Sequence, residues 1–246
     1  MKRYWEIDSL RGIAIIMMII FHIFFDLVYF GILSFDIFKG FWWFFARFIA
    51  MLFIFLVGVS LTLSYSRVKN IKTRKEIVEK YLFRGIKLFA WGLLITLITW
   101  IFLREKFVLF GVLHLIGISI ILAYPLLKYR FLNLCFGLSV LFLGLYLGKF
   151  RFDFSWLLWL GFRPRGYYPA DYEPIFPWFG WVLLGLFFAN LLYKEGIRRF
   201  ELKNLSNLNA IKGLSFLGRN SLFIYLIHRP LVFGAVYLIY EIIINI

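Results

Sequence analysis

His22 and Asp26 are the residues in this chain best placed to do chemistry, because both stand in a run of Ile, Met and Phe that follows the charged start Glu6, Asp8 and Arg11. An ionisable side chain inside a bilayer is costly unless it faces a cavity or a partner, so its presence within a span marks a candidate functional site. Asp26 follows His22 at i+4, the spacing at which helical side chains meet. A carboxylate there can hold one imidazole nitrogen and leave the other free to take a proton. Arg11 precedes His22 by close to three whole turns, so the two share one helix face about 16 Å apart at 1.5 Å per residue. Asp8, at i, i+3 from Arg11, pairs with it and aims it along the helix.

The other two histidines, His114 and His228, also fall in apolar runs, and His228 is followed by Arg229 and by Pro230, whose missing N–H loosens a helix. Each either joins His22 at one polar cavity or bonds between helices without chemistry. Arg47 and Arg229 lie within apolar runs and need anionic partners, with Asp26 and the outer carboxylates as candidates. No two histidines are close in sequence and no His-x-x-x-His or Glu-x-x-His pattern occurs, so no metal site is expected.

Positioning these groups requires membrane helices. Of the 246 residues 63% are hydrophobic, above the 45–50% usual for soluble domains, and several runs approach the twenty residues that cross a bilayer. The pattern predicts one all-α domain over residues 1–246, a polytopic bundle of about seven transmembrane helices. They lie near 10–32, 41–65, 85–103, 107–127, 131–148, 176–193 and 219–245. Eighteen Lys and Arg residues fall in one set of connecting segments against seven in the other, which places the N-terminus in the cytoplasm. The same distribution accounts for the net charge of +15 without nucleic acid. Lys2 and Arg3 precede the first apolar run as in a signal peptide, but charges interrupt it and no small-residue cleavage site follows, so a retained span is expected. The single cysteine, Cys135, excludes an internal disulfide.

Two connecting segments stand out. Residues Arg67 to Arg84 read as a short helix lying along the headgroups, where its cations meet anionic lipid or an anionic ligand. Lys149 to Phe176 is rich in aromatics (Trp156, Trp159, Tyr167, Tyr168, Tyr172) mixed with Arg165, Asp171 and Glu173. It forms either a belt that fixes the depth of a span or a rim for a sugar.

Five blocks in order carry a resemblance: Asp8-Ser-Leu-Arg-Gly-Ile-Ala, Phe21-His22-Ile-Phe-Phe-Asp26, Gly111-Val-Leu-His114-Leu-Ile-Gly, Phe176-Pro-Trp-Phe-Gly180 and Leu217-Gly-Arg-Asn-Ser-Leu-Phe-Ile-Tyr-Leu-Ile-His228. Together they resemble the catalytic domain of the heparan-alpha-glucosaminide N-acetyltransferase family in its short prokaryotic form. The Arg11 to His22 arrangement is also similar to the first span of the acyltransferase 3 family, placed in the same transmembrane acyltransferase superfamily. The resemblance implies a multi-pass cell-membrane acetyltransferase that moves an acetyl or other acyl group from cytoplasmic acyl-CoA to an amino sugar or glycan on the far side. On that expectation His22, Asp26 and His114 are the catalytic candidates, and Arg11, Asp8, Asn220, Ser221 and His228 are the residues expected to bind acetyl-CoA. Membrane lipid is an expected partner, and homo-oligomerisation stays open. One departure is visible: the lysosomal branch has asparagine where this chain has His22, and places its essential histidine further on, where this chain offers no equivalent. The competing reading from the residues is a proton-coupled transporter, against which stands the lack of an internal repeat.

Overall fold

The computed structural model describes residues 3–104, 107–167, 169 and 171–244. Of the residues named above, Lys2 and Tyr168 lie outside those described. Eight α-helices carry the described chain: α1 (Trp5–Tyr29), α2 (Gly40–Ser66), α3 (Arg74–Leu103), α4 (Val112–Ala123), α5 (Phe131–Leu147), α6 (Ile175–Leu192), α7 (Asn209–Arg219) and α8 (Ser221–Ile244). A two-residue hairpin, β1 (Tyr193–Lys194) with β2 (Ile197–Arg198), is the one strand pair among the described residues. The expected all-α membrane architecture holds, but the span count differs. Five helices, α1, α2, α3, α6 and α8, are long and apolar enough to cross a bilayer, while α4 with its following turn and α5 are shorter. Pro125 closes α4 in a 3-10 turn.

The chain divides into two compact units, Met1–Phe53 with Leu202–Ile246, and Ile54–Glu201. In the first, α1 packs along α7 and α8. Glu6 and Asp8 occupy the first turn of α1, where negative charge meets the exposed N–H groups. Contact with α7 is backbone to backbone: a Cβ on Gly12 would lie 2.1 Å from the Leu214 carbonyl oxygen, and one on Gly218 would lie 1.8 Å from that of Asp8. Ser9 Oγ and Ser215 Oγ, 3.0 Å apart, fasten the same seam. Ile15, Met18 and Ile49 form the buried centre, with Phe45, Phe53, Ile224 and Tyr225 packed around them.

Gly12→Ala should therefore force α7 off α1. The added methyl has nowhere to go against backbone, and overpacking of this kind costs about 1–3 kcal/mol. Gly213→Ala serves as control, since nothing lies within 4 Å of its Cβ position. Thermal unfolding in detergent should show a lower midpoint for the first and none for the second; equal midpoints would show that the seam is looser than described.

The second unit is built on α6, which is buried over most of its surface, from Ile175 through Val182, Leu183 and Leu186 to Ala189, with Phe188 and Leu192 left exposed. A helix apolar all round is what a bundle centre requires. Gly137 of α5 meets Gly180 of α6, and Gly85 of α3 meets Gly117 of α4, small residues that let helix backbones approach in lipid. The segment Arg67 to Arg84 corrects the expectation of a separate surface helix, since α3 runs unbroken from Arg74 through Arg84. Thr73 and Glu76 start it with a reciprocal cap: the Thr73 N–H donates to Glu76 Oε2 at 2.7 Å, and the Glu76 N–H to Thr73 Oγ1 at 3.4 Å. Nothing after that cap breaks the helix, so charged and apolar halves join.

Candidate active site

In the first unit α1 supplies Arg11, His22 and Asp26, and α8 supplies His228 and Arg229. Asp26 is fully buried, and Arg229 Nη1 donates to both its carboxylate oxygens, at 2.7 and 2.6 Å. The expected bond from Asp26 to His22 is therefore replaced. Of the two partners the sequence offered Asp26, the cation wins because a carboxylate with no exposure needs a full counter-charge, which a neutral imidazole does not supply. The Arg229 guanidinium also lies over the Phe25 and Phe233 rings at 5.3 and 6.0 Å. Arg47 finds the Trp43 face at 5.8 Å.

His22 then faces His228, with ring centroids 5.0 Å apart and planes at 47°. His228 Nδ1 lies 2.7 Å from the Tyr225 carbonyl oxygen. A carbonyl only accepts, so Nδ1 carries the hydrogen and Nε2 of the neutral ring is left with its lone pair. That Nε2 and Nδ1 of His22 are both buried without a hydrogen-bond partner among the described residues. Phe21 and Tyr225 wall the pair at 5.6 Å each.

Asp8, Arg11, Asn220 and Ser221 collect at the other end of the same unit. Arg11 Nη1 lies 3.5 Å from Asp8 Oδ1, the expected i, i+3 pair. Gly218 brings α7 directly against them, its Cβ position 3.1 Å from the Arg11 Cβ. Asn220 closes α7, its Nδ2 donating to the Phe216 carbonyl at 2.9 Å, and opens α8, its own carbonyl accepting the Ile224 N–H at 3.0 Å. Ser221 follows as the first residue of α8. His228, expected among the coenzyme-binding residues, sits against His22.

His114 belongs to the second unit, and both its nitrogens are engaged. Nδ1 accepts the Gly111 N–H at 3.2 Å, so Nε2 carries the hydrogen and points to Thr96 Oγ1 at 3.4 Å. Thr96 in turn donates to the Val108 carbonyl at 2.7 Å. With 1% of its surface exposed and Gly92 against its ring, His114 acts as a cap for α4. This is the bonding role between helices that the sequence left open beside the catalytic one.

The aromatic stretch from Lys149 to Phe176 is also tied down. Asp171 Oδ2 accepts the Val112 N–H at 3.3 Å at the start of α4, Arg163 donates twice to the Tyr167 carbonyl, and the Tyr172 hydroxyl donates to the Leu158 carbonyl at 2.8 Å. Burial pushes the Tyr167 phenol up to about 12 and raises that of Tyr172 as well, so both stay neutral hydrogen-bonding groups at physiological pH. Trp156, in the same stretch of sequence, remains 71% exposed. Sequence reasoning missed the Tyr225 carbonyl as the group that orients His228. The signal available was the spacing, since Tyr225 stands three residues before His228, within reach of a side chain that bonds back along its own helix.

Comparison with known protein families matches residues 3–230 to "Heparan-alpha-glucosaminide N-acetyltransferase, catalytic". No curated protein and no solved structure matches the chain. A match over nearly the whole chain, joined to apolar helices of membrane-crossing length, identifies a membrane acetyltransferase that belongs to the heparan-alpha-glucosaminide N-acetyltransferase catalytic family.

Proposed function

We propose that this protein takes an acetyl group from cytoplasmic acetyl-CoA and transfers it to the amine or hydroxyl of a sugar or glycan on the outer side of the cell membrane, with His22 as general base. The observation that carries this reading is the half-buried imidazole of His22, set against His228 with its Nδ1 sealed from solvent, in an apolar unit of a chain whose family performs acetyl transfer. The family draws on acetyl-CoA, which supplies the acetyl group as an activated thioester. Arg11, against Gly218 just ahead of Asn220 and Ser221, suits the phosphate end of that donor: a guanidinium and short polar side chains are the groups that recognise phosphate oxygens. The rise of about 16 Å from Arg11 to His22 matches the reach of an extended pantetheine arm.

At the other end His22 removes the proton from the attacking amine or hydroxyl, and the Asp26–Arg229 pair locks α1 to α8 so that the imidazole keeps its place. Direct transfer with both substrates bound needs no acyl-enzyme. The excess of positive charge on one set of connections supports entry of the anionic donor from the cytoplasmic side.

The test uses the purified full chain in lipid nanodiscs with acetyl-labelled acetyl-CoA and glucosamine as the acceptor probe. Label should appear in N-acetylglucosamine in proportion to protein. A transporter would leave the thioester intact, and an intact thioester across a panel of amino sugars and hydroxyl sugars would refute the proposal. Arg11→Ala should raise KM for acetyl-CoA about tenfold or more, the loss of one charge-assisted contact, with kcat changed far less. An unchanged KM would take Arg11 out of the donor site.

A further inference from the structure

His22 and His228 each bury one nitrogen without a hydrogen-bond partner, Nδ1 of the first and Nε2 of the second, on rings 5.0 Å apart. Separately, each such atom is destabilising, because a buried polar group stripped of water and given no partner costs about 1–3 kcal/mol. Together they are complementary, provided that one carries a hydrogen and the other a lone pair. Tyr225 decides which. Its carbonyl oxygen lies 2.7 Å from His228 Nδ1, and a bare nitrogen at that distance would set two acceptors against each other. Nδ1 of His228 is therefore the protonated nitrogen, and Nε2 of that neutral ring is an acceptor. The donor it calls for is an N–H on His22 Nδ1. A centroid separation of 5.0 Å suits two imidazoles joined by one N–H···N bond of about 2.9 Å after a small ring rotation.

We infer that His228 is a positioning residue that holds the hydrogen of His22 on Nδ1, so that Nε2 of His22 presents its lone pair to the acceptor. The chain of bonds runs from the Tyr225 carbonyl through His228 to His22. It takes the place that Asp26 would have filled, since both oxygens of Asp26 are committed to Arg229. This inference rests on the reading of His22 as the general base. In the transfer step the acceptor N–H or O–H bond breaks and its proton passes to His22 Nε2. The acceptor's electron pair forms the new bond to the acyl carbon, the carbon–sulfur bond breaks, and the departing thiolate takes the proton back from His22. His228 keeps its own proton throughout. By accepting from His22 Nδ1–H it stabilises the imidazolium as it forms, without adding a second negative charge beside Arg229 and Asp26.

Nitrogen-15 spectroscopy of histidine-labelled protein in nanodiscs reads the arrangement directly, because the chain has 3 histidines and each signal is assigned by removing it. In the unsubstituted protein at neutral pH the His22 hydrogen should sit on Nδ1. His228→Leu should move it to Nε2, while His228→Gln, whose amide oxygen can accept the same N–H, should keep it on Nδ1. Turnover should follow: kcat falls about tenfold or more in His228→Leu, recovers in part in His228→Gln, and KM for acetyl-CoA stays level in both. A His22 hydrogen found on Nε2 in the unsubstituted protein overturns the inference, and so does a tautomer that His228→Leu leaves unchanged. Failure of the general-base reading shows elsewhere, as retained turnover in a His22 variant, so the two fail separately.

Discussion

His22→Ala should abolish acetyl transfer while the protein still inserts, folds and binds acetyl-CoA. The magnitude follows from the role: a positioned base contributes about 10²–10⁴ in rate, and kcat should drop by that range with KM for the donor little changed. Insertion is not at risk, because alanine is easier to place in a bilayer than histidine and the stretch of α1 around it, from Gly12 to Phe25, is otherwise apolar. Donor binding is not at risk either, since Arg11 lies about three helical turns away. His22→Asn makes the sharper comparison. Asparagine keeps polarity and approximate size but cannot take a proton at neutral pH, so it should fold like the parent and be as inactive as alanine. Full turnover by a well-folded His22→Ala protein, measured as labelled product per protein per minute, would move the base elsewhere and end the assignment.

The second large effect concerns stability. Arg229→Leu leaves Asp26 fully buried with no counter-charge, a situation that costs about 3–5 kcal/mol. Asp26→Leu should cost markedly less, because the Arg229 side chain is 40% exposed and its long stem can carry the freed charge toward water. The double variant, with leucine at both positions, removes both charges from a site already lined by Phe25 and Phe233 and should recover most of the loss. Thermal midpoints of the four proteins in one detergent close the cycle and isolate the pair term. Equal losses for the two single variants, or a double variant that merely sums them, would mean that the pair is not the electrostatic clamp described. A tyrosine or phenylalanine in place of Arg229 adds nothing to the test, since bulk is not what Asp26 lacks.

How much of this was legible beforehand differs from element to element. The apolar runs that became α1, α2, α6 and α8 were visible because lipid leaves a spanning backbone no partner except itself, and only helices of about twenty apolar residues satisfy that in a chain of this type. The start of α3 was not, because hydropathy marks where a helix meets lipid and says nothing about how far it continues into charged residues. The cap at Thr73 was the local signal, and it lay outside the apolar window. Likewise α7 carries lysine, arginine and serine, so it read as part of a connection; its glycine contacts with α1 are what make it an element. Family membership was legible because five short blocks, each weak alone, recur in order over the whole chain.

The candidate site divides along the same line. That His22, Asp26 and Arg11 share α1, and that every histidine lies in an apolar run, followed from residue type and spacing, since helical periodicity places i and i+4 on one face whatever else the chain does. Which groups pair was decided by the fold. Arg229 is some two hundred positions from Asp26 in sequence, and it takes the carboxylate because burial makes a full charge the stronger partner. His114 lost its free nitrogen to the Gly111 N–H, a backbone donor exposed only because a helix begins there. His228 acquired a fixed tautomer from a carbonyl of its own helix and a position against His22 from the packing of α8 on α1. Periodicity along one helix is a local property and can be read from residues; the choice among competing partners depends on distance and desolvation through space, which exist only once the helices are packed.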